Sequence, residues 1–131
     1  MKCIDKYLQQ YRRNIEKIGG VRMNPDALQE VSEANVLDQR GRILEKAIVH
    51  YGENKQLLKL AEECSELVTA ICKYKLNPND ENYGNVMEES VDVGIVLEQF
   101  FDNVYLPSFV QDVEICKLKR LDKQIDYEQS R

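Results

Sequence analysis

The chain has 131 residues and a formal net charge of −5 at pH 7. This length favours a single domain, and the acidic balance argues against general binding to nucleic acids or membrane surfaces, because both need a basic face. No apolar run approaches the roughly 20 residues of a membrane span, and the first residues do not resemble a secretory signal. We therefore expect a protein of the cytoplasm that binds neither nucleic acid nor membrane.

The four cysteines favour the same compartment. Cys3, Cys64, Cys72 and Cys116 show no CxxC spacing, and Cys64 and Cys72 are too far apart on one helix to be joined. We expect reduced thiols that pack as small core residues, as is usual in the cytoplasm.

Apolar residues recur at helical spacing along the chain and predict an all-α fold. Within residues 1–38, one helix ends at Gly19-Gly20 and a second begins at Asn24-Pro25. The following helices are predicted over residues 38–51, where Gly52 ends the helix, and over residues 54–74.

A turn at residues 77–80 separates these from a fifth helix that ends near residue 101. The last predicted helix begins at Pro107, where Ser108 and Gln111 have the spacing of a capping box. The central helices are long enough for an antiparallel helical bundle.

The helix over residues 54–74 carries two neighbouring stripes. The first is apolar and consists of Leu57, Leu60, Cys64, Leu67, Val68 and Ile71. The second is mostly polar and consists of Gln56, Lys59, Glu63, Glu66 and Ala70. Glu62 lies farther round the helix.

Two pairs of acidic residues stand out. Glu63 and Glu66 are three residues apart, as are Glu89 and Asp92, so each pair shares one face of its helix. Asp92 is the only charge in the apolar run 90–97, which we expect to be buried on most sides. Because a buried carboxylate needs a partner charge or a metal ion, Asp92 predicts a bound divalent cation.

If these two helices are antiparallel neighbours, the two acidic pairs face each other. A rise of about 4.5 Å within each pair suits carboxylates that bridge two ions roughly 3.5–4 Å apart. Oxygen ligands without histidine or thiolate favour Mg²⁺ or Mn²⁺. The competing interpretation is that the EExxE string forms an exposed, solubilising face. His50, the only histidine, is interpreted as a surface or partly buried residue at a helix end.

A longer pattern extends this site. Tyr51-Gly52 with Gln56, then Glu62-Glu63-x-x-Glu66, then Glu89-x-x-Asp92 resembles the MazG-like nucleoside triphosphate pyrophosphohydrolases. Their superfamily also includes dimeric all-α dUTPases and phosphoribosyl-ATP pyrophosphatases. The stretches 85–99 and 117–121 are similar as well. The resemblance covers about residues 43–125 and implies a MazG-like catalytic domain over residues 39–131 with an added N-terminal helical arm over residues 1–38.

The resemblance implies Mg²⁺-dependent hydrolysis of a nucleoside triphosphate to the monophosphate and pyrophosphate, with Mn²⁺ as a substitute. Glu63, Glu66, Glu89 and Asp92 match the metal ligands of the family. Glu62 and Glu63 are the candidate catalytic residues, and two roles are open for Glu62: orienting the attacking water or facing solvent.

Phosphate and base contacts should come from nearby polar and basic residues. The candidates for substrate binding are Gln56, Lys59, Lys73, Lys117 and Arg120. For the basic residues the alternative is a solvated helix face, because lysine and arginine favour the last turns of helices.

The amphipathic segment 2–18 and the apolar sides of the central helices need surfaces to cover, and the related families form dimers or tetramers. We expect a homodimer or homotetramer with the active site near a subunit boundary. Two other functions remain open: a phosphoribosyl-ATP pyrophosphatase-like enzyme, and a non-catalytic helical interaction protein that retains the fold.

Overall fold

The structure, a computed structural model, describes Val36 and residues 39–131. This part of the chain forms four α-helices: α1 (Arg40–Tyr51), α2 (Glu53–Leu76), α3 (Asp80–Asn103) and α4 (Pro107–Gln129). The described residues contain no strand, which confirms the prediction of an all-α fold. The helix ends lie within two residues of the predicted ones. The predicted arm, residues 1–38, lies outside the described residues except for Val36.

Short junctions separate the helices. Gly52, at φ 84°, ends α1 with its N–H donating to the carbonyl oxygen of Ile48 at 3.0 Å, and α2 begins at the next residue. Before α3, the side chain of Asn79 caps the helix by accepting from the N–H of Asn82 at 2.7 Å.

The predicted capping box at the start of α4 is wrong. Leu106 is the N-cap residue, it makes no side-chain cap, and Pro107 occupies the first turn. Proline suits the first helical position, because its fixed φ is already helical and its missing N–H would have no helical partner there. Ser108 therefore lies one residue inside the helix and is not the cap.

The core forms where α1 packs on α3. Ile48, Val96, Phe100 and Val104 are buried there, with Val49, Leu60 and Tyr105 packed against them. The α2–α3 pair forms an antiparallel hairpin across the turn at residues 77–79, and the rings of Tyr74 and Tyr83 meet beside that turn at 5.4 Å. No helix of the described part is long and apolar enough to cross a membrane.

The face that α2 turns toward α3 is mainly polar. Its three buried residues are Gln56, Glu63 and Ala70, spaced seven apart and therefore along one line of the helix. The apolar stripe lies mostly outside the core, because Leu57, Cys64, Val68 and Ile71 are exposed within the described chain. Three members of the polar stripe, Gln56, Glu63 and Ala70, are buried instead.

The structure also differs from the expectation that residues 90–97 are buried on most sides. Only Val96 in this run is buried, Asp92 is half-buried, and Val91 is 60% exposed. In the described part, α1 and α2 cover two sides of α3 and leave a third side open. The described cysteines, Cys64, Cys72 and Cys116, are exposed free thiols and not core residues.

Candidate metal centre

The hairpin brings acidic residues of its two helices together. Glu63 of α2 and Glu89 and Asp92 of α3 each offer a carboxylate oxygen, and these three oxygens lie within 4.8 Å of one another. Glu89 and Asp92 are one turn apart on α3, so both reach the same point of α2. The predicted meeting of the two acidic faces is found for these three residues.

Two oxygens in this cluster are buried without a partner. Glu63 is only 6% exposed, and its Oε2 accepts no hydrogen bond in the described part of the chain. The same holds for Oε2 of Glu89. A buried carboxylate oxygen without a donor is unfavourable. A divalent cation would satisfy both oxygens, and three converging carboxylates are the hard ligands that such a cation takes.

Glu66, the fourth predicted ligand, lies at the edge of the cluster. It is exposed and is not one of the three residues whose oxygens converge. Partial desolvation raises the pKa of Glu66, and the negative charges of Glu63 and Glu89 raise it further. The negative charge of the cluster therefore acts on Glu66, although its carboxylate lies outside the point where the other three converge.

Lys59 is bound to the acidic residues of its own helix. Its Nζ lies 2.8 Å from Oε1 of Glu63 and 3.5 Å from Oε1 of Glu62. The hydrogen bond to Glu63 is the main reason that the pKa of Lys59 is raised. Lys59 thus neutralises part of the cluster, while exposed Glu62 lies at its rim.

A cleft of about 660 Å³ opens on one side of the cluster. Its polar lining includes the predicted residues Gln56, Lys59, Glu62, Glu63 and Asp92, together with Gln99 and Lys55. Its apolar lining consists of Ala47, Leu58, Ile95 and Val96, with Tyr51 at the wall. Such a volume is in the range of small-molecule sites.

A second cleft, of about 350 Å³, lies on the other side of the cluster. It is lined by Glu66, Thr69, Ala70, Lys73, Asn82, Asn85 and Glu89. This cleft contains Lys73, a predicted phosphate contact, next to Glu66. The carboxylates therefore lie between two recesses, one with apolar walls and one mainly polar.

The structure does not bring Lys117 and Arg120 to the site. Both are exposed on α4, and neither lines either cleft. His50 is exposed near the end of α1, as interpreted from the sequence, and its ring packs edge-on against Tyr51.

Sequence reasoning did not propose five polar residues of the clefts as site residues. Lys55 and Gln99 line the larger cleft, and Thr69, Asn82 and Asn85 line the smaller. A signal for Gln99 was present, because it follows Asp92 by seven residues just as Glu63 follows Gln56. The two asparagines lie close to the turn at residues 77–80. Asparagine is common near turns because its side chain bonds the nearby backbone, so its presence there did not indicate a site.

Comparison with protein-family models, with curated proteins and with solved structures found no match to this chain. The class of protein is therefore described from its fold and its site alone. The described chain is an all-α protein in which a helical hairpin carries a carboxylate cluster that could hold a divalent cation, between two clefts.

Proposed function

We propose that this protein hydrolyses a nucleoside triphosphate to the monophosphate and pyrophosphate, with Mg²⁺ as its cofactor and Mn²⁺ as a substitute. One observation carries the proposal: carboxylates of α2 and α3 converge between two clefts, and two of their buried oxygens have no partner among the described residues. A triphosphate is strongly anionic, so an acidic site holds it only through a bridging cation.

The residues present fit such a cation. Glu63, Glu89 and Asp92 would hold it, and Glu66 would join them from the edge. When bound, the metal supplies polarisation of the phosphate oxygens and neutralises the charge of the leaving pyrophosphate. Carboxylate oxygens without imidazole or thiolate suit Mg²⁺ and Mn²⁺ better than zinc or copper.

The chain's own side chains have distinct tasks in this proposal. Glu62, at the rim of the larger cleft, orients the water whose oxygen attacks the α-phosphorus. The bond from that phosphorus to the bridging oxygen breaks, and pyrophosphate leaves. Lys59 limits the repulsion within the cluster, and Lys73 in the smaller cleft binds phosphate oxygens.

The two clefts differ in a way that supports a nucleotide. The larger one has apolar walls and buried amides, which suit a nucleoside, whereas the smaller one offers a lysine and two asparagines beside the carboxylates. The sequence contains no Gly-rich phosphate loop of the kind used in γ-phosphoryl transfer. The proposal therefore places cleavage at the α-phosphate, with pyrophosphate as the product.

A substrate panel tests the proposal. The full chain is incubated with each NTP, each dNTP and phosphoribosyl-ATP in Mg²⁺, and pyrophosphate and orthophosphate are measured separately. We expect pyrophosphate and a nucleoside monophosphate from at least one NTP or dNTP, and no turnover when EDTA replaces Mg²⁺.

Other outcomes separate the competing functions. Orthophosphate with a nucleoside diphosphate would contradict the mechanism. Turnover of phosphoribosyl-ATP alone would favour the second enzyme class. An absence of turnover on the whole panel would favour the non-catalytic helical protein.

A further inference from the structure

Two buried glutamines form a hydrogen-bonded pair in the larger cleft. Gln56 of α2 is 6% exposed and Gln99 of α3 is 4% exposed. Nε2 of Gln56 donates to Oε1 of Gln99 at 2.7 Å. Together with Glu63 they are the buried polar residues of the described chain.

A glutamine pair is an unusual choice for packing alone. Burial costs each long side chain its rotamer freedom, and an amide removed from water needs partners for its oxygen and its NH₂ group. The bond between the pair satisfies one group of each amide. The structure shows no partner in the described residues for Oε1 of Gln56 or Nε2 of Gln99.

These two remaining groups belong to residues that line the larger cleft. Neither belongs to the fully buried atoms without a partner, which in the described residues are the Oε2 atoms of Glu63 and Glu89. Both glutamines line the 660 Å³ cleft. The pair therefore brings to the lining of that cleft one amide oxygen and one amide NH₂ group that make no other hydrogen bond in the described residues.

The position of the pair relative to the carboxylates is also informative. Gln56 precedes Glu63 by seven residues on α2, and Gln99 follows Asp92 by seven on the antiparallel α3. Seven residues of helix rise about 10 Å, comparable to the span of a nucleoside monophosphate from base edge to phosphate. Leu58 and Ile95 line the cleft with them and offer apolar surface for a flat ring.

We propose that the Gln56–Gln99 amide pair reads the hydrogen-bonding edge of the nucleobase and so determines which triphosphate is hydrolysed. This proposal rests on the proposed function. A base fixed by its phosphates presents its edge in a set order: uracil offers an acceptor and then a donor, where cytosine offers a donor and then an acceptor. Guanine and adenine differ in the same way. An acceptor and a donor in fixed order therefore favour binding of uracil over cytosine or the reverse, and of guanine over adenine or the reverse.

The test compares the parent with the double variant Gln56→Met/Gln99→Met. Methionine has a similar length, and replacing both partners of a hydrogen bond by apolar groups of similar shape has little effect on folding. The control is Gln124→Met on α4, which loses only an exposed hydrogen bond to Glu128. The values of kcat/KM are measured for UTP, CTP, GTP and ATP and their deoxy forms, and thermal melts with and without Mg²⁺ report folding and metal binding.

We expect the parent to favour one member of the uracil–cytosine or guanine–adenine pair by about tenfold or more. In the double variant this ratio should fall toward one, while the Mg²⁺-induced melting shift and the behaviour of the control stay as in the parent. A parent without base preference, or a variant whose preference is unchanged or whose rates fall equally for every base, would overturn the proposal and leave the proposed function intact. A parent that hydrolyses none of the nucleotides would overturn both.

Discussion

At the scale of single residues, Glu63 is the most informative side chain. It is almost completely buried between α2 and α3, and within the described chain Lys59 contacts one of its two oxygens while the other has no partner. Glu89 and Asp92 add negative charge within 4.8 Å. Without a cation, the repulsion among these carboxylates lowers the stability of the fold. Such a loss of stability is typical of a ligand-binding site in its empty state.

The substitution Asp92→Asn should separate the metal site from the fold. Asparagine keeps the shape and removes one charge, and a like-charge pair at ~4 Å costs up to about 4 kcal/mol at an effective dielectric constant near 20. The metal-free variant should therefore melt at the same temperature as the parent or higher. Mg²⁺ at a hundredfold excess over its dissociation constant should stabilise the parent by about 2.7 kcal/mol and the variant much less.

Activity should follow metal binding. Loss of even an outer partner of a metal ligand costs about 10- to 100-fold, so pyrophosphate release by the variant should fall by about 100-fold or more. The matched control is Asp102→Asn, which removes the same charge from an exposed position of the same helix and should respond to Mg²⁺ like the parent. If Asp92→Asn melts lower in EDTA and keeps the full Mg²⁺ response, Asp92 is a structural residue and the proposed site is wrong.

At the scale of the elements, the junction of α1 and α2 is a single residue. Gly52 has φ 84° and ψ 158°, a region essentially restricted to glycine. It ends α1 and lets α2 begin at once in a new direction, which places Gln56 one turn later beside α3. At the other end of α2, the turn leads into α3, whose first turn is capped by the side chain of Asn79.

Replacing Gly52 by alanine should destabilise the protein by about 1–3 kcal/mol, because a side chain at this φ and ψ is strained. A Cβ atom built at Gly52 meets nothing within 4 Å, so the effect would arise from the backbone alone. Urea unfolding of the two proteins in EDTA measures the difference in the free energy of unfolding.

Gly84→Ala provides the matched control. A Cβ atom there also meets nothing within 4 Å, but Gly84 lies inside α3, where alanine is favoured over glycine by up to about 1 kcal/mol. The two alanine substitutions should therefore act in opposite directions. Equal stability of Gly52→Ala and the parent would contradict the conformation described for this junction.

At the scale of the whole molecule, apolar side chains on several helices face outward. Val68 of α2 and Val91 of α3 are each 60% exposed, and α4 has no buried residue within the described chain. Exposed apolar surface repeated on three helices is typical of an interface. The apolar face of α4 includes Ile115, Leu118, Leu121 and Ile125, all exposed.

We expect the full chain to form a homodimer or homotetramer through surfaces that include this face of α4. The double substitution Leu118→Glu/Leu121→Glu should shift the protein toward the monomer, because it places charges where an isologous contact would bury them. Light scattering on a sizing column at micromolar concentration measures the mass of both proteins.

The control for this experiment is Lys119→Gln/Lys123→Gln, which lowers the net charge equally from a different face of α4 and should leave the mass unchanged. A monomeric mass for the parent would contradict the expected association. A variant with the mass of the parent would instead show that the interface excludes α4.

The sequence alone determined the helices and the acidic pairs. Helical periodicity, Gly52, the turn before α3 and Pro107 are local signals, and each acts within a few residues of the chain. The spacing of Glu63 with Glu66, and of Glu89 with Asp92, predicted that the two pairs can face each other if the short turn makes the helices antiparallel neighbours, but it did not determine which side of each helix faces the other. The resemblance to the MazG-like enzymes added the reaction, which stays a prediction.

Only the tertiary structure decided which face of each helix is covered. The apolar stripe of α2 and its polar stripe are both regular helical faces, and rotation of the helix about its own axis is not a local property. Packing against α3 placed Gln56 and Glu63 inside, brought Gln99 to Gln56, and left Val68 outside. It also left Lys117 and Arg120 on α4, away from the carboxylates. These contacts depend on the fit between distant segments, and residue spacing within one helix does not contain that information.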